Sequence, residues 1–152
     1  MRWFAVLTVA ACGGATPHEA VHYDADLDPI LSAATDVAKA NAKEVQLDRE
    51  HAAIHTAWQI QAVTHEQMDD FDFRAIGKLG AKVQYFARYD ISVVGPRPYQ
   101  VVVAAHGSRW VEGDKKPTVL SDDKPPAWLL ERRDHIASDI NARLHASAIA
   151  PR

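Results

Sequence analysis

Apolar and polar residues alternate most regularly between residues 83 and 94. A period of two puts neighbouring side chains on opposite faces of a strand, so the pattern predicts a half-buried β-strand. The Gly-Pro-Arg-Pro sequence at 95–98 must end it, because proline cannot donate to a strand ladder. The valine-rich residues 99–105 resume the pattern, and the two runs predict an antiparallel hairpin. The face predicted to be buried carries Val83, Tyr85, Ala87, Tyr89, Ile91 and Val93.

Two segments have the apolar spacing of a helix. The first begins at Asp28 and Pro29, a favourable N-cap and first helical residue, and is expected to fray over residues 41–44. The last runs from about residue 126 to 146 and is predicted to lie against the sheet face that carries Trp58 or the tyrosines. Their apolar stripes are Ile30, Ala34, Val37 and Ala38 in the first helix, and Leu129, Ile136, Ile140 and Leu144 in the last.

Two further strands are predicted between the first helix and the hairpin. Residues 45–48 form the first of them, and alternation throughout 52–63 predicts the second as one continuous strand. Acidic and glycine-containing residues 65–80 and polar residues 112–126 are predicted to be loops. The fold class is therefore α+β, an antiparallel sheet of about four strands with both helices packed on one face. The alternating face in 52–63 carries Ala52, Ile54, Thr56, Trp58, Ile60 and Ala62.

The first twelve residues have the layout of a secretory signal. One positive charge, Arg2, precedes nine mostly apolar residues, which is less than half of the ~20 that a membrane-spanning helix needs. Two small residues then precede Cys12. This arrangement predicts a signal peptide at 1–11, a tether at 12–27 and one folded domain at 28–152.

Composition narrows the class of protein further. The chain has 152 residues, 17 Lys and Arg against 20 Asp and Glu, and a net charge of −3. No excess of positive charge is present to bind nucleic acid, and 47% hydrophobic residues are ordinary for a globular domain. Cys12 is the only cysteine, so it cannot form a disulfide within the chain.

The Val-Ala-Ala-Cys sequence ending at Cys12 resembles the lipobox of bacterial lipoproteins. This resemblance implies a signal peptide that is removed, a diacylglyceryl group and usually a further acyl chain such as palmitate on the new N-terminal Cys12. Several acyl chains together make a stable anchor where a single chain is marginal. Gly13 stands where an Asp signals inner-membrane retention in enterobacterial lipoproteins, so the resemblance implies an outer-membrane address facing the periplasm.

The domain itself resembles a second family. An initial helix, a strand reading x-I-x-T-x-W, an arginine-containing hairpin and a closing helix are similar to the helix-grip domain of the BamC-like lipoprotein subunit of the outer-membrane β-barrel assembly machinery. The acidic segment 65–80 and the proline-rich loop 112–126 depart from that pattern, so partner identity does not carry over. The residues that carry the resemblance are Glu50, Ile54, Thr56 and Trp58, with 88–94, 101–103 and 129–144.

Three groups of residues suggest chemistry, and each has a simpler interpretation. His51 and His55 would share a helix face suited to zinc, but on a strand they lie ~13 Å apart and cannot share one ion. Ser108 and His106 lack the turn that a catalytic serine requires. The acidic residues Glu66, Asp69, Asp70 and Asp72 do not fit a calcium-binding loop, which needs Gly and Glu at positions held here by Arg74 and Gly80. We therefore predict no catalytic residue, metal ligand or cofactor.

Two tryptophans are the candidate binding residues. Trp110 and Trp128 flank the polar loop at 112–126 and are predicted to line a binding surface. The predicted function is a non-enzymatic, membrane-anchored interaction or assembly subunit whose partner is another envelope protein. One alternative is a periplasmic carrier of a small apolar ligand, which needs a cavity between helix and sheet. The other is a metal-dependent hydrolase, which needs polar side chains converging in one pocket.

Overall fold

The computed structural model describes residues 21–68 and 80–149. Seven strands, two helices and one turn of 3₁₀ helix make up this part of the chain. The elements are β1 (His22–Tyr23), α1 (Leu27–Asn41), β2 (Val45–Asp48), β3 (Ala53–Thr56), β4 (Gln59–Gln61), the 3₁₀ turn (His65–Gln67), β5 (Val83–Val94), β6 (Tyr99–Val111), β7 (Thr118–Val119) and α2 (Ala127–Ile149).

All strand pairs are antiparallel, and the sheet has the order β1-β6-β5-β3-β2, with β4 also paired to β5 and β7 to β6. The predicted hairpin is confirmed: β5 and β6 pair in constant register from Val83 opposite Val111 to Val94 opposite Gln100. The prediction of about four strands is too low. It misses β1 and β7, which have only two residues each and are too short to show a period, and it joins β3 and β4 into the single strand predicted over residues 52–63.

Both helices cover the same face of the sheet, as predicted. The stripe of α1 is buried, and so are Leu129, Ile136 and Ile140 of α2, while Leu144 is partly buried against the same core. The hairpin tyrosines lie in this core. Packing is tight: a Cβ added to Gly107 of β6 would lie 3.0 Å from Leu120 and Leu129 side-chain carbons.

The first helix starts two residues earlier than predicted. Asp26, in extended conformation, is the N-cap of α1, and its side chain makes no capping hydrogen bond. Pro29 therefore lies in the first turn rather than at its first position. Its missing N–H still removes no helical hydrogen bond, because the first four N–H groups of a helix have no partner in the helix.

The segment just before α1 is part of the fold. His22 and Tyr23 pair with Gln100 and Tyr99 of β6, and the Tyr23 hydroxyl donates to Asn141 of α2 at 3.1 Å. At the hairpin tip, Arg97 binds Asp24 and Asp26 at 2.6 and 3.0 Å, and the hydrogen bond to Asp24 raises the pKa of the guanidinium. The predicted domain boundary at residue 28 thus lies inside the folded unit.

The predicted signal peptide, Cys12 and the rest of the tether up to residue 20 lie outside the described residues, as do Asp69, Asp70 and Asp72. Within the part of the chain that the structure describes, neither helix is both long and apolar enough to cross a membrane.

Candidate functional site

The sheet face opposite the helices, here called the open face, is shaped by a bulge between β3 and β4. His55 lies opposite Asp90 of β5, yet Gln59, four residues on, lies opposite Ala87, only three residues back. The β3–β4 segment therefore contains one extra residue. The amide of Tyr89, next to this extra residue, donates to the Thr56 side-chain oxygen at 2.8 Å.

The bulge reverses the direction of the side chains that follow it. An extra residue changes which face each side chain occupies, because side chains alternate along a strand. Ile54 and Thr56 remain buried under the helices, whereas Trp58 is 42% exposed and Ile60 is 67% exposed. The predicted continuous strand with Trp58 and Ile60 on the buried face is therefore wrong. The sequence predicts that α2 lies against the sheet face that carries Trp58 or the tyrosines. The helix lies against the face that carries the tyrosines, and Trp58 is on the other face.

Apolar side chains also occupy other parts of the open face. In an antiparallel pair, residues directly opposite each other point to the same side. Val94 alternates with the buried residues of β5, and Val102 alternates with partly buried β6 residues that pack against the core. Val119 of β7 lies opposite Ser108. Five of the six exposed large hydrophobic side chains in the described residues therefore lie on this face: Trp58, Ile60, Val94, Val102 and Val119.

A polar cluster occupies the middle of the open face, and Asp90 is its centre. One carboxylate oxygen of Asp90 lies 2.8 Å from Nδ1 of His55, and the other lies 3.1 Å from Nε2 of His106. The second ring nitrogen of His106, Nδ1, is 3.4 Å from a carboxylate oxygen of Asp122. The register produces this arrangement, since β3 places His55 opposite Asp90 and β6 places His106 opposite Arg88.

The hydrogen bonds of this cluster define its chemistry. A carboxylate only accepts, so His55 donates from Nδ1 to Asp90. His106 lies between the carboxylates of Asp90 and Asp122 at ion-pair distances. His55 Nδ1 and His106 Nε2 thus both face the Asp90 carboxylate, so these two nitrogens do not face a shared position for a metal ion. Within residues 21–68 and 80–149, no group of three or more His, Cys, Asp or Glu side chains has the geometry of a metal site.

Arg88 joins the polar cluster to the exposed aromatic ring. Its guanidinium carbon lies 5.4 Å from the centre of the Trp58 ring, and one of its nitrogens lies 3.9 Å from Asp90. Such a cation–π contact contributes about 0.5–1 kcal/mol at an exposed site. The Nε atom of Arg88 is buried and has no hydrogen-bond partner among the described residues. Trp58 and Arg88 therefore present a preformed apolar and cationic surface beside the histidines.

The two tryptophans predicted to line a binding surface are separated by the sheet. Trp110 lies opposite Gln84 on the open face, half-buried, and its indole N–H donates to the Asp114 carbonyl at 2.9 Å. Trp128 is 2% exposed and packs edge-on against Tyr85, with ring centres 5.7 Å apart. Trp128 is therefore a core residue and not part of an exposed surface, because the first turn of α2 directs it into the sheet.

The histidines and serine singled out in the sequence also have defined positions. His51 lies in the turn after β2, not on a strand, and its Nδ1 is 2.8 Å from Asp48. This hydrogen bond lowers the pKa of the Asp48 carboxyl. His55 binds a different carboxylate, that of Asp90. Ser108 is buried opposite Phe86.

Sequence reasoning missed Asp90 and Arg88 as site residues. They were visible only as the polar side of an alternating strand. The signal that could have found them is the position of His55 and His106 on the polar sides of neighbouring strands.

No protein-family model matches this chain, and a comparison with curated proteins finds no match. The class that the fold and the site define is an α+β domain with one helix-covered and one open sheet face.

Proposed function

We propose that this chain is a non-enzymatic, lipid-anchored interaction domain of the bacterial envelope, which binds another envelope protein through its open face. One observation carries the proposal: exposed large hydrophobic side chains are concentrated on the face that no helix covers. Apolar side chains exposed together on one surface are typical of interaction sites rather than of a plain solvated surface.

The composition of the open face favours a protein partner. Trp and Arg are enriched among the residues that contribute most to protein interfaces, and here Trp58 and Arg88 are already stacked on each other. A preformed contact reduces the entropy lost on binding. The cluster around Asp90 adds hydrogen-bonding groups beside the apolar side chains. The net charge of −3 offers no electrostatic reason to expect nucleic acid.

The two alternatives have less support. A carrier of a small apolar ligand needs space between helices and sheet, but Trp128, Leu129 and Ile140 are buried in that interface. A Cβ added at Gly107 would lie only 3.0 Å from side-chain carbons of Leu120 and Leu129. A metal-dependent hydrolase needs ligands that converge on an ion, whereas His55 and His106 are directed at Asp90.

The lipid anchor and the outer-membrane location rest on the sequence around Cys12. An antiparallel sheet with both helices on one face is compatible with the resemblance to BamC-like helix-grip lipoproteins, which suggests a role in outer-membrane protein assembly. Incorporation of radiolabelled palmitate tests the anchor. Wild type should be labelled and Cys12→Ser should not. An unlabelled wild type would contradict lipidation and leave the open-face proposal to be tested separately.

Affinity capture from detergent-solubilised envelope tests the binding face. The tagged full chain should retain a partner that is lost with Trp58→Ser and with Ile60→Ser. The control is Ala142→Ser, an exposed apolar-to-polar change on α2. It should capture as much partner as wild type. Equal capture by wild type and all three variants, or loss only with Ala142→Ser, would contradict the proposal.

A further inference from the structure

The outer edge of β6, the side away from β5, is only partly paired. At one end β1 pairs with Tyr99 and Gln100, and at the other β7 pairs with Ser108 and Arg109. Among the described residues, no strand pairs with residues 101–105 on this side. We call these five residues the open edge. An unpaired edge is a template for another strand.

Two backbone hydrogen bonds show which groups face the open edge. The carbonyl of Gly107 accepts from the Leu120 amide at 2.9 Å on the outer side, and the amide of Glu112 donates to Lys82 at 2.8 Å on the β5 side. Backbone groups of successive residues point to alternate sides of a strand, and the β5–β6 register is constant. The N–H and C=O groups of the odd-numbered residues therefore face outwards: Val101, Val103 and Ala105.

The side chains of the open edge are less buried than their neighbours in β5. Val101, Val103 and Ala105 point to the helix face and pack against the core, yet they remain only partly buried. Their β5 neighbours Val93, Ile91 and Tyr89 are buried. An added strand would cover the three partly buried side chains. Its own alternate side chains would lie beside α2, and the others would extend the open face.

The flanking strands decide what can occupy this edge. A second copy of the chain would bring its own β1 and β7 against those already in place, so two β6 edges cannot align. Val21 precedes β1 and would be the residue opposite Val101 in this register, yet it is not part of β1. A single separate segment, about 16 Å long at ~3.3 Å per residue, fits between the two flanks.

We propose that the open edge binds an extended segment of another protein as an additional β-strand. In this segment, every second residue is apolar. A basic residue at the end of the segment that lies near β7 complements the negative charge of the exposed Asp122 carboxylate. Strand addition of this kind takes affinity from main-chain hydrogen bonds and specificity from alternate side chains. The inference rests on the proposed function, because it specifies the form in which a partner protein binds.

Amide hydrogen exchange of the full chain in detergent tests this directly. The probe is a blocked heptapeptide that alternates valine and threonine between two terminal lysines. At saturation it should slow exchange at Val101, Val103 and Ala105 by about tenfold or more, with little change at Val102 and Ala104, which already bond to β5. Two control peptides are compared with the unmodified peptide: one has N-methylated valines and the other has N-methylated threonines. The control peptide whose methyl groups face β6 should not bind.

A matched pair of variants gives a second measurement. Val103→Pro removes an outward N–H and no bond to β5, and should weaken peptide binding about tenfold or more, since one ladder hydrogen bond and its neighbours are lost. Val103→Thr keeps the N–H and should bind like wild type. If Val103→Pro does not fold, the N-methylated peptides still decide between the outcomes.

Three results would overturn the inference. They are no protection by the peptide, protection elsewhere on the chain, and protection of the three amides in the free protein, which would mean that the chain's own residues cover the edge. The capture experiment with Trp58→Ser and Ile60→Ser distinguishes failure of the strand-addition inference from failure of the proposed function. If that dependence persists without edge protection, only the strand-addition inference fails. If edge protection occurs without that dependence, the open-face proposal fails.

Discussion

The two faces of the sheet in this protein are built from the same strands, but helices cover only one of them. On the helix face, side chains such as Ile91 and Ile140 are almost completely buried. On the open face, Trp58 and Ile60 remain exposed beside a hydrogen-bonded cluster centred on Asp90. The comparison separates stability from recognition: the helix face holds the fold together, while the open face is available to a partner.

The largest expected effect comes from truncating the helix face. Ile140→Ala removes a fully buried side chain of α2 and should reduce the free energy of unfolding by about 2–5 kcal/mol. Ile60→Ala, on the open face, should change it by less than about 0.5 kcal/mol. Urea denaturation of both variants measures the difference. Equal, small losses would mean that α2 is peripheral to the core, and the assignment of stability to the helix face would have to be abandoned.

A smaller effect is expected at the bulge. Thr56→Val keeps the shape of the side chain but removes the acceptor of the Tyr89 amide, which should cost about 1–3 kcal/mol because a buried N–H is left unpaired. Thr56→Ser keeps the hydroxyl and serves as the control. Amide exchange at Tyr89 should be faster in the valine variant and close to wild type in the serine variant. Unchanged exchange in both would show that Thr56 does not hold the bulge.

The contact between Arg88 and Trp58 should contribute less than the bulge. A double-mutant cycle with Arg88→Gln and Trp58→Leu should give a coupling of about 0.5–1 kcal/mol. The same cycle with Lys82→Gln in place of Arg88→Gln is the control and should give almost no coupling. If the two cycles give equal couplings in denaturation experiments, the stacked pair is not preformed in solution.

The smallest effect concerns the exposed turn after β2, away from both faces. The hydrogen bond from His51 lowers the pKa of Asp48 below its ordinary value of 3.8. A lowered pKa adds stability above the ordinary value, and this stability is lost as the pH falls through the pKa of the folded state. As the pH is lowered from neutral to below about 4, the urea midpoint should therefore fall less in Asp48→Asn and in His51→Gln than in wild type. If the urea midpoint of both variants fell with pH as steeply as that of wild type, the hydrogen bond from His51 would not be the cause of the lowered Asp48 pKa.

Local periodicity predicted the helix face well. The stripes of both helices and the buried side of β5 repeat at fixed spacing, and each repeat spans enough residues to be recognised. The sequence places Trp128 on a surface because it flanks the polar loop at 112–126. Burial of such a residue depends on where the helix begins relative to the sheet, which spacing alone does not give.

The open face was much less predictable because it depends on pairing between distant segments. Alternation in 52–63 is uninterrupted, so nothing in the sequence marks the extra residue that turns Trp58 and Ile60 outwards. The cluster of His55, Asp90 and His106 comes from three strands and depends on their register. These residues lie 35 and 16 positions apart, and no short motif connects them.

In-cell photocrosslinking tests most directly whether the open face is the binding face. The photoreactive residue p-benzoylphenylalanine is introduced at the position of Ile60 on the open face and, separately, at the position of Ala142 on the exposed side of α2. Both chains should first be shown to fold like wild type by circular dichroism. We expect a defined crosslinked adduct with another envelope protein from position 60 and none from position 142. Adducts only from position 142, or none from position 60, would contradict the proposed function.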